Sequence, residues 1–175
     1  MFEQNNPGGR LCCGSGGSED GIGPVRSPLR TVTTTLEGAL VAKPPIPANL
    51  IEVLKRPNPA VMGTVRADGT PVTVATWYLW DGGRILINMD AGRKRLQHIR
   101  ANPRVSLTVL DGEAWYRHVS VQGTATLGPD EGMTDVDRIA RHYTGKPYVN
   151  RRRPRISAWL EIDAYHAWGF RSAAA

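Results

Sequence analysis

Three consecutive cations, Arg93, Lys94 and Arg95, follow Ala91-Gly92 at the point where an alternating apolar run gives way to a helical one. A helix start exposes backbone N–H groups, and its dipole favours negative charge there. Cations placed at that position oppose the dipole unless an anion sits among them. Arginine grips phosphate oxygens through paired hydrogen bonds and lysine adds a compact charge, so the corner predicts a phosphate site. The competing reading is a solvated basic helix start. A second cluster, Asp111-Gly112-Glu113-Ala114-Trp115, sets an acidic turn beside a flat aromatic; as a plain hairpin turn it needs only Asp-Gly, with Trp115 in the core. A third interleaves Arg151, Arg152, Arg153 and Arg155 with Tyr143 and Tyr148, a pattern suited to nucleic acid, to an acidic ligand tail or to plain solvent. His98, His118, His142 and His166 have no metal-ligand spacing. The chain also has no Gly-x-Ser-x-Gly elbow, Walker loop or dinucleotide glycine fingerprint.

The elements that must position these residues are mostly extended. Asp68-Gly69, Asp81-Gly82 and Asp111-Gly112 each lie between alternating or β-branched runs, a hairpin signature. Strands are predicted over Pro59 to Arg66, Pro71 to Trp80, Arg84 to Asp90, Arg104 to Leu110 and Ala114 to Leu127. One or two more follow between Arg155 and Trp168. In the second run, Val72, Val74, Thr76 and Tyr78 share one face and Thr73, Ala75, Trp77 and Leu79 the other. Neither face is strongly polar, so both are expected to be covered, in a small closed barrel or at a subunit interface. Helical spacing marks Asn49 to Arg56, Gly92 to Arg100 and Asp130 to Tyr143, the last with Met133, Val136, Ile139 and Ala140 on one stripe.

With 175 residues and 41% hydrophobic content, the chain suits one domain with a real core. Residues 1–48 balance four basic against four acidic side chains, so the net +6 arises in residues 49–175, where 18 basic residues face 12 acidic ones. The first 48 residues also hold eight of 19 Gly and six of 13 Pro, a composition too poor in apolar surface to offset ordering entropy. They are expected to be a disordered extension, with residues 49–175 as the folded domain. The globular pattern begins only near Pro47, which also raises a misassigned start codon. Cys12 and Cys13, adjacent within the extension, are poorly placed for a disulfide staple and too few for a metal site. With neither a long apolar run nor a leader pattern, the expectation is a cytoplasmic protein without membrane insertion.

Several segments, in order, resemble the split β-barrel flavin and deazaflavin oxidoreductases related to pyridoxamine 5'-phosphate oxidase. They are Met62-Gly63-Thr64-Val65-Arg66-Ala67-Asp68-Gly69-Thr70-Pro71, Val74-Ala75-Thr76-Trp77, Arg93 to Arg95 with Asn102-Pro103-Arg104-Val105, Arg138 to Tyr143, and Tyr165-His166-Ala167-Trp168-Gly169. Within that superfamily, Val109 to Trp115 is similar to the turn of the deazaflavin branch, users of coenzyme F420 that include biliverdin reductases. The resemblance implies a mostly β protein with short helices, an FMN-binding-like split β-barrel and a homodimer with the cofactor at its interface. Carried over by position, it implies that Thr73, Val74, Ala75, Thr76 and Trp77 line the ring system. Arg93, Lys94 and Arg95 would hold the phosphate, with Arg95 standing where the branch usually has Lys. Asp111, Gly112 and Trp115 would approach from the partner's turn. The implied activity is hydride transfer between reduced coenzyme F420 and an unsaturated small-molecule acceptor. Alternatives are an FMN-dependent relative or a noncatalytic flavin-binding or deazaflavin-binding protein. Trp77 and Trp115 are expected as ring-packing surfaces, and Arg151 to Arg153 as contacts for an acidic tail or substrate. Nucleic acid is the weakest partner, and no catalytic residue is singled out.

Overall fold

The computed structural model describes residues 41–170. Most of the expected N-terminal extension, with Cys12 and Cys13, lies outside them. Seven strands, β1 (Ala60–Val65), β2 (Pro71–Thr76), β3 (Leu79–Asp81), β4 (Arg84–Asp90), β5 (Arg104–Leu110), β6 (His118–Pro129) and β7 (Arg155–Trp168), form one antiparallel sheet in the order β2-β1-β5-β6-β7-β4-β3. The β3–β4 hairpin turns on Gly82 and Gly83, with φ of 57° and 94°. A two-residue hairpin turn of this hand needs positive φ at both positions, which glycine adopts without a Cβ penalty.

The two end strands of this sheet, β2 and β3, are neighbours in the chain, separated only by Trp77 and Tyr78. The sheet therefore curls until its ends meet at that dipeptide without a ladder between them, giving a split barrel. This corrects the expectation of a single strand over Pro71 to Trp80. Tyr78 leaves the pleat because it is fully buried and its hydroxyl donates to the Arg56 carbonyl at 2.9 Å, drawing the backbone inward. Coverage of β2 within one chain is partial. β2 pairs only with β1, and within the single chain its residues are exposed or half-buried.

β5 and the first half of β6 alternate buried and open residues, as a half-buried strand should. β4 instead buries five consecutive residues, Ile85 to Met89, because one face meets the barrel interior and α3 (Thr134–Thr144) packs over the other. Each large apolar side chain so enclosed contributes on the order of 2 kcal/mol of transfer free energy. β7 runs for 14 residues, pairing with β4 through its first half and with β6 along nearly its whole length. Opposite Gln122/Gly123 the ladder skips Asp163, a bulge that lets β7 bend there.

The helices fill the corners. α1 (Ala48–Leu54) starts after Pro47 and buries Leu50, Val53 and Leu54. Residues 41–48 join the same body: Ala42 exchanges both backbone hydrogen bonds with Tyr165 on β7 at 2.8 Å, and Ile46 is in the core. α2 (Lys94–Ala101) buries Leu96 and Ile99 and stops before Asn102-Pro103. α3 buries Val136, Ile139 and Ala140. Met133, expected on that stripe, instead precedes the helix in left-handed conformation at φ 59°, as the last residue of the short 3-10 turn Glu131–Met133. Asp130 explains why the helix begins where it does: its carboxylate accepts the N–H groups of Asp135 and Val136, both at 2.9 Å. No helix among the described residues is long and apolar enough to cross a membrane.

Candidate functional site

The N-terminus of α2 contrasts with that of α3. α3 carries Asp135 and Asp137 in its first turn and a carboxylate on its free N–H groups. α2 has no side-chain cap and no acidic residue in its first turn, and Arg93, Lys94 and Arg95 crowd there instead. Asp90, at the end of β4, does not neutralise them. One of its oxygens accepts the Gly92 N–H at 2.8 Å and the other pairs with Arg153 at 3.3 Å. The Gly92 hydrogen bond, followed by the charge of Arg153, holds its carboxyl below the usual carboxylate range.

Two grooves meet at this corner. The narrower, of about 350 Å³, is lined by Thr64, Arg66, Val72, Thr73, Val74, Arg93, Lys94, Arg95 and His98. Four of these are cationic and none is acidic. The wider, of about 600 Å³, is lined by Pro57, Pro59, Ala60, Val61, Ala75, Thr76, Trp77, Asn88, Arg95 and Tyr143. Arg95 is common to both. Its Nη1 is buried with no hydrogen-bond partner among the described residues. Burial, and then repulsion from Arg93 and Arg155, hold its guanidinium below the ordinary arginine range. A buried donor of this kind costs free energy until an acceptor reaches it.

Thr73 to Trp77 and Arg93 to Arg95 are thus brought together, across the gap between the edge strand β2 and α2. The Asp111 cluster lines neither groove. Asp111 is almost fully buried, pairs with Arg117 at 2.7 Å and accepts the Glu113 N–H at 3.0 Å, so it braces its own turn. Gly112 donates its N–H to Asn58 Oδ1 at 3.1 Å, which ties that turn to the segment before β1. Trp115 is 73% exposed rather than a core residue, and meets Tyr116 edge-on. Arg151 grips Asp137 with both carboxylate oxygens at 2.8 and 2.9 Å, and Arg153 takes Asp90, which leaves Arg152 as the member of that run without an ion pair among the described residues. Arg155 reaches the wide groove indirectly: its Nε donates to Asn88 Oδ1 at 2.7 Å while its guanidinium lies over the Tyr148 ring.

Residues 46–169 match the family model described as pyridoxamine 5'-phosphate oxidase. The chain belongs to the pyridoxamine 5'-phosphate oxidase family. Among solved structures, this family member is similar to one described as an F420 reductase, at 27% identity and a TM-score of 0.63, covering 69% of this chain and 98% of that one. It is also similar to a conserved hypothetical protein from Mycobacterium tuberculosis, at 21% identity and a TM-score of 0.59, over 76% of this chain and 93% of that one. General Stress Protein 26 of Bacillus anthracis shares the fold at 14% identity and a TM-score of 0.56, with 70% and 92% of the two chains covered. The last two likenesses speak to the fold alone.

For this family member, the sequence reading missed several groove residues. Arg66 and His98 complete the cationic groove, His98 being held by Thr64 Oγ1 at 3.1 Å. Pro57, Pro59, Asn88 and Tyr143 complete the wide one. Asn88 carried the clearest available signal, an amide at an alternating strand position between Ile87 and Met89. It is buried and saturated, donating to Asp130 and Ser157 while accepting from Arg155.

Proposed function

We propose that the protein is an oxidoreductase that uses coenzyme F420, exchanging a hydride between the bound deazaflavin and an unsaturated organic acceptor. The observation that carries this reading is Arg95, which lines both the cationic and the apolar groove and whose Nη1 is buried without a hydrogen-bond partner among the described residues. A phosphoryl oxygen is the acceptor that such a donor suits, and it would relieve the mutual repulsion of Arg93 and Arg95. The 27% identity to a structure described as an F420 reductase supports the choice of cofactor. When bound, that cofactor supplies the hydride chemistry.

The chain's own residues hold and dehydrate. Arg93, Lys94 and Arg95 would take the phosphoryl group, and Thr73, Val74, Ala75, Thr76 and Trp77 would line the ring system along the β2 edge. Among the described residues, the wide groove is lined by no carboxylate, thiol or imidazole. The Thr76 hydroxyl already donates to the Trp77 carbonyl at 3.2 Å, and the Tyr143 hydroxyl to the Asn58 carbonyl at 2.8 Å. The protein's contribution is therefore positioning, and the acceptor takes its proton from solvent. FMN is the second reading. Membership of the pyridoxamine 5'-phosphate oxidase family favours it, and its single phosphate would meet the same three cations.

The reading includes a homodimer. Trp115, Tyr116 and Trp168 form an exposed chain of edge-on aromatic rings, with centroids 6.0 and 6.3 Å apart. A second copy covering such surface would bring the turn carrying Asp111, Gly112 and Trp115 toward the other copy's groove. Sedimentation of Trp115→Ala/Tyr116→Ala should give monomer where the unaltered protein gives dimer; an unaltered protein that sediments as a monomer refutes the dimer. The cofactor is tested by titrating the full chain with coenzyme F420 and, separately, FMN, each followed by its own fluorescence. The expected result is at least tenfold tighter binding of coenzyme F420 and loss of that binding in Arg93→Glu/Arg95→Glu. Tighter FMN binding, or occupancy that survives the charge reversal, overturns the proposal.

A further inference from the structure

His118 and His166 are far apart in the chain, and the β6–β7 ladder brings them together. His118 lies opposite Trp168 and Ser120 opposite His166, so the two histidines are diagonal neighbours on one face of the sheet. Their ring centroids are 6.0 Å apart, with 49° between planes. That face points away from the core: the alternate residues Val119 and Val121 are fully buried, whereas His118, Ser120 and His166 are half-buried. The imidazole of His118 is also oriented. Its Nδ1 lies 3.2 Å from the Tyr116 carbonyl, which can only accept. In the neutral ring the proton is therefore on Nδ1 and the lone pair on Nε2, the arrangement found in histidines that bind metals through Nε2.

Around one tetrahedral ion with Zn–N bonds of about 2.0–2.1 Å, two imidazole rings stand about 5 Å apart centre to centre. A small rotation of either side chain closes the observed 6.0 Å to that value. The neighbouring cation, Arg117, is held by Asp111 at 2.7 Å, which offsets its charge. Among the described residues no third histidine, cysteine or carboxylate joins the pair. One chain thus offers two ligands, where a closed zinc site takes four. The surroundings indicate where the other two come from. Trp168, opposite His118, ends the exposed chain of rings Trp115-Tyr116-Trp168 given above to a second copy. Two copies related by a two-fold axis meet through the same patch on each, so residues of that patch can face their own counterparts.

We propose that His118 and His166 form a zinc site, closed by the same two residues of a second copy, so that one Zn2+ ion ties two chains together. The closure rests on the homodimer reading; the site is independent of the cofactor. The test uses the untagged full chain carrying Cys12→Ser/Cys13→Ser, which removes competing thiols. This parent is titrated with Zn2+ by calorimetry and sedimented over a range of concentrations in Zn2+ and in EDTA. The expected result is one Zn2+ per two chains, with dimerisation at least tenfold tighter in Zn2+ than in EDTA. His118→Ala and His166→Ala should each weaken zinc binding at least tenfold and abolish the zinc effect on association. Their dimerisation in EDTA should stay within threefold of the parent. A second readout needs no variant: Zn2+ should shift the imidazole 15N resonances of two of the chain's four histidines. Zinc binding that survives loss of both histidines overturns the proposal, as do a ratio of one ion per chain and equal association in Zn2+ and EDTA. A dimer that persists in EDTA and binds no zinc overturns the site and leaves the homodimer standing. A chain that is monomeric in both conditions overturns the homodimer and the closed site together.

Discussion

Replacing Arg95 with Met should move stability and ligand affinity in opposite directions. In the free protein Arg95 holds a buried Nη1 without a partner, and burial and the nearby Arg93 and Arg155 make its charge harder to carry. Methionine keeps an unbranched stem of similar reach and removes both the orphaned donor and the repulsion. An unsatisfied buried donor costs about 1–3 kcal/mol. Because Arg95 is only half-buried, the lower end applies, and the ligand-free variant should gain about 1 kcal/mol. That is about 3–5 °C in Tm for a domain of this size. The bound state loses a charge-assisted hydrogen bond to phosphate, worth about 1.5–3 kcal/mol, so Kd should rise about tenfold to a hundredfold. Thermal unfolding without ligand and coenzyme F420 titration, on the same preparation, measure both. A ligand-free Tm that falls in Arg95→Met would show that the guanidinium is satisfied in the free protein. An unchanged Kd would show that it does not face the phosphate, and either result defeats the reasoning.

Three further outcomes follow from the fold. A Cβ added at Gly123, opposite the bulge of β7, would collide with the Glu161 backbone carbonyl, so Gly123→Ala should lose about 2–3 kcal/mol in urea unfolding; a loss under about 0.5 kcal/mol would mean that the bulge yields. Asp111→Asn strips the charge from a buried partner of Arg117 and should cost about 2 kcal/mol, read as a lower urea midpoint with unchanged slope; an unchanged midpoint would remove the bracing role given to Asp111. The pH dependence has a definite sign: hydrogen bonding by Arg151 holds the Asp137 carboxyl below its ordinary value, and the Gly92 N–H does the same for Asp90. Between folded and unfolded pKa the unfolded chain binds more protons, so their stabilisation is complete above the ordinary carboxylate pKa of about 4 and is lost as pH falls through the lower folded values. Asp137→Asn should flatten the acid limb of a plot of urea midpoint against pH between about pH 5 and 2, and an acid limb identical to that of the unaltered protein would exclude the Asp137 contribution.

The β-rich class, the three Asp-Gly turn regions and the place of each helix were legible in the sequence, because period-two alternation, turn chemistry and helix stops are local. The cationic corner was legible for the same reason: Arg93, Lys94 and Arg95 are consecutive, and the helix start beneath them is signalled by the residues that follow. Alternation failed at Trp77-Tyr78. The departure of Tyr78 from the pleat depends on the Arg56 carbonyl 22 residues away, and no neighbouring residue announces it. The partner of Trp77 is Tyr143, on α3, a residue whose sequence signal was that of a basic, aromatic loop border. Asp111 and the Arg151 to Arg153 run show the converse. Their types marked them as chemically able residues without naming a partner; in the folded chain Asp111 pairs with Arg117, Arg151 with Asp137 and Arg153 with Asp90. Residue type states what a side chain can bind. Only the tertiary structure decides which partner is near enough to take it, and at Arg95, beside two grooves, it buries a donor that no other described residue reaches.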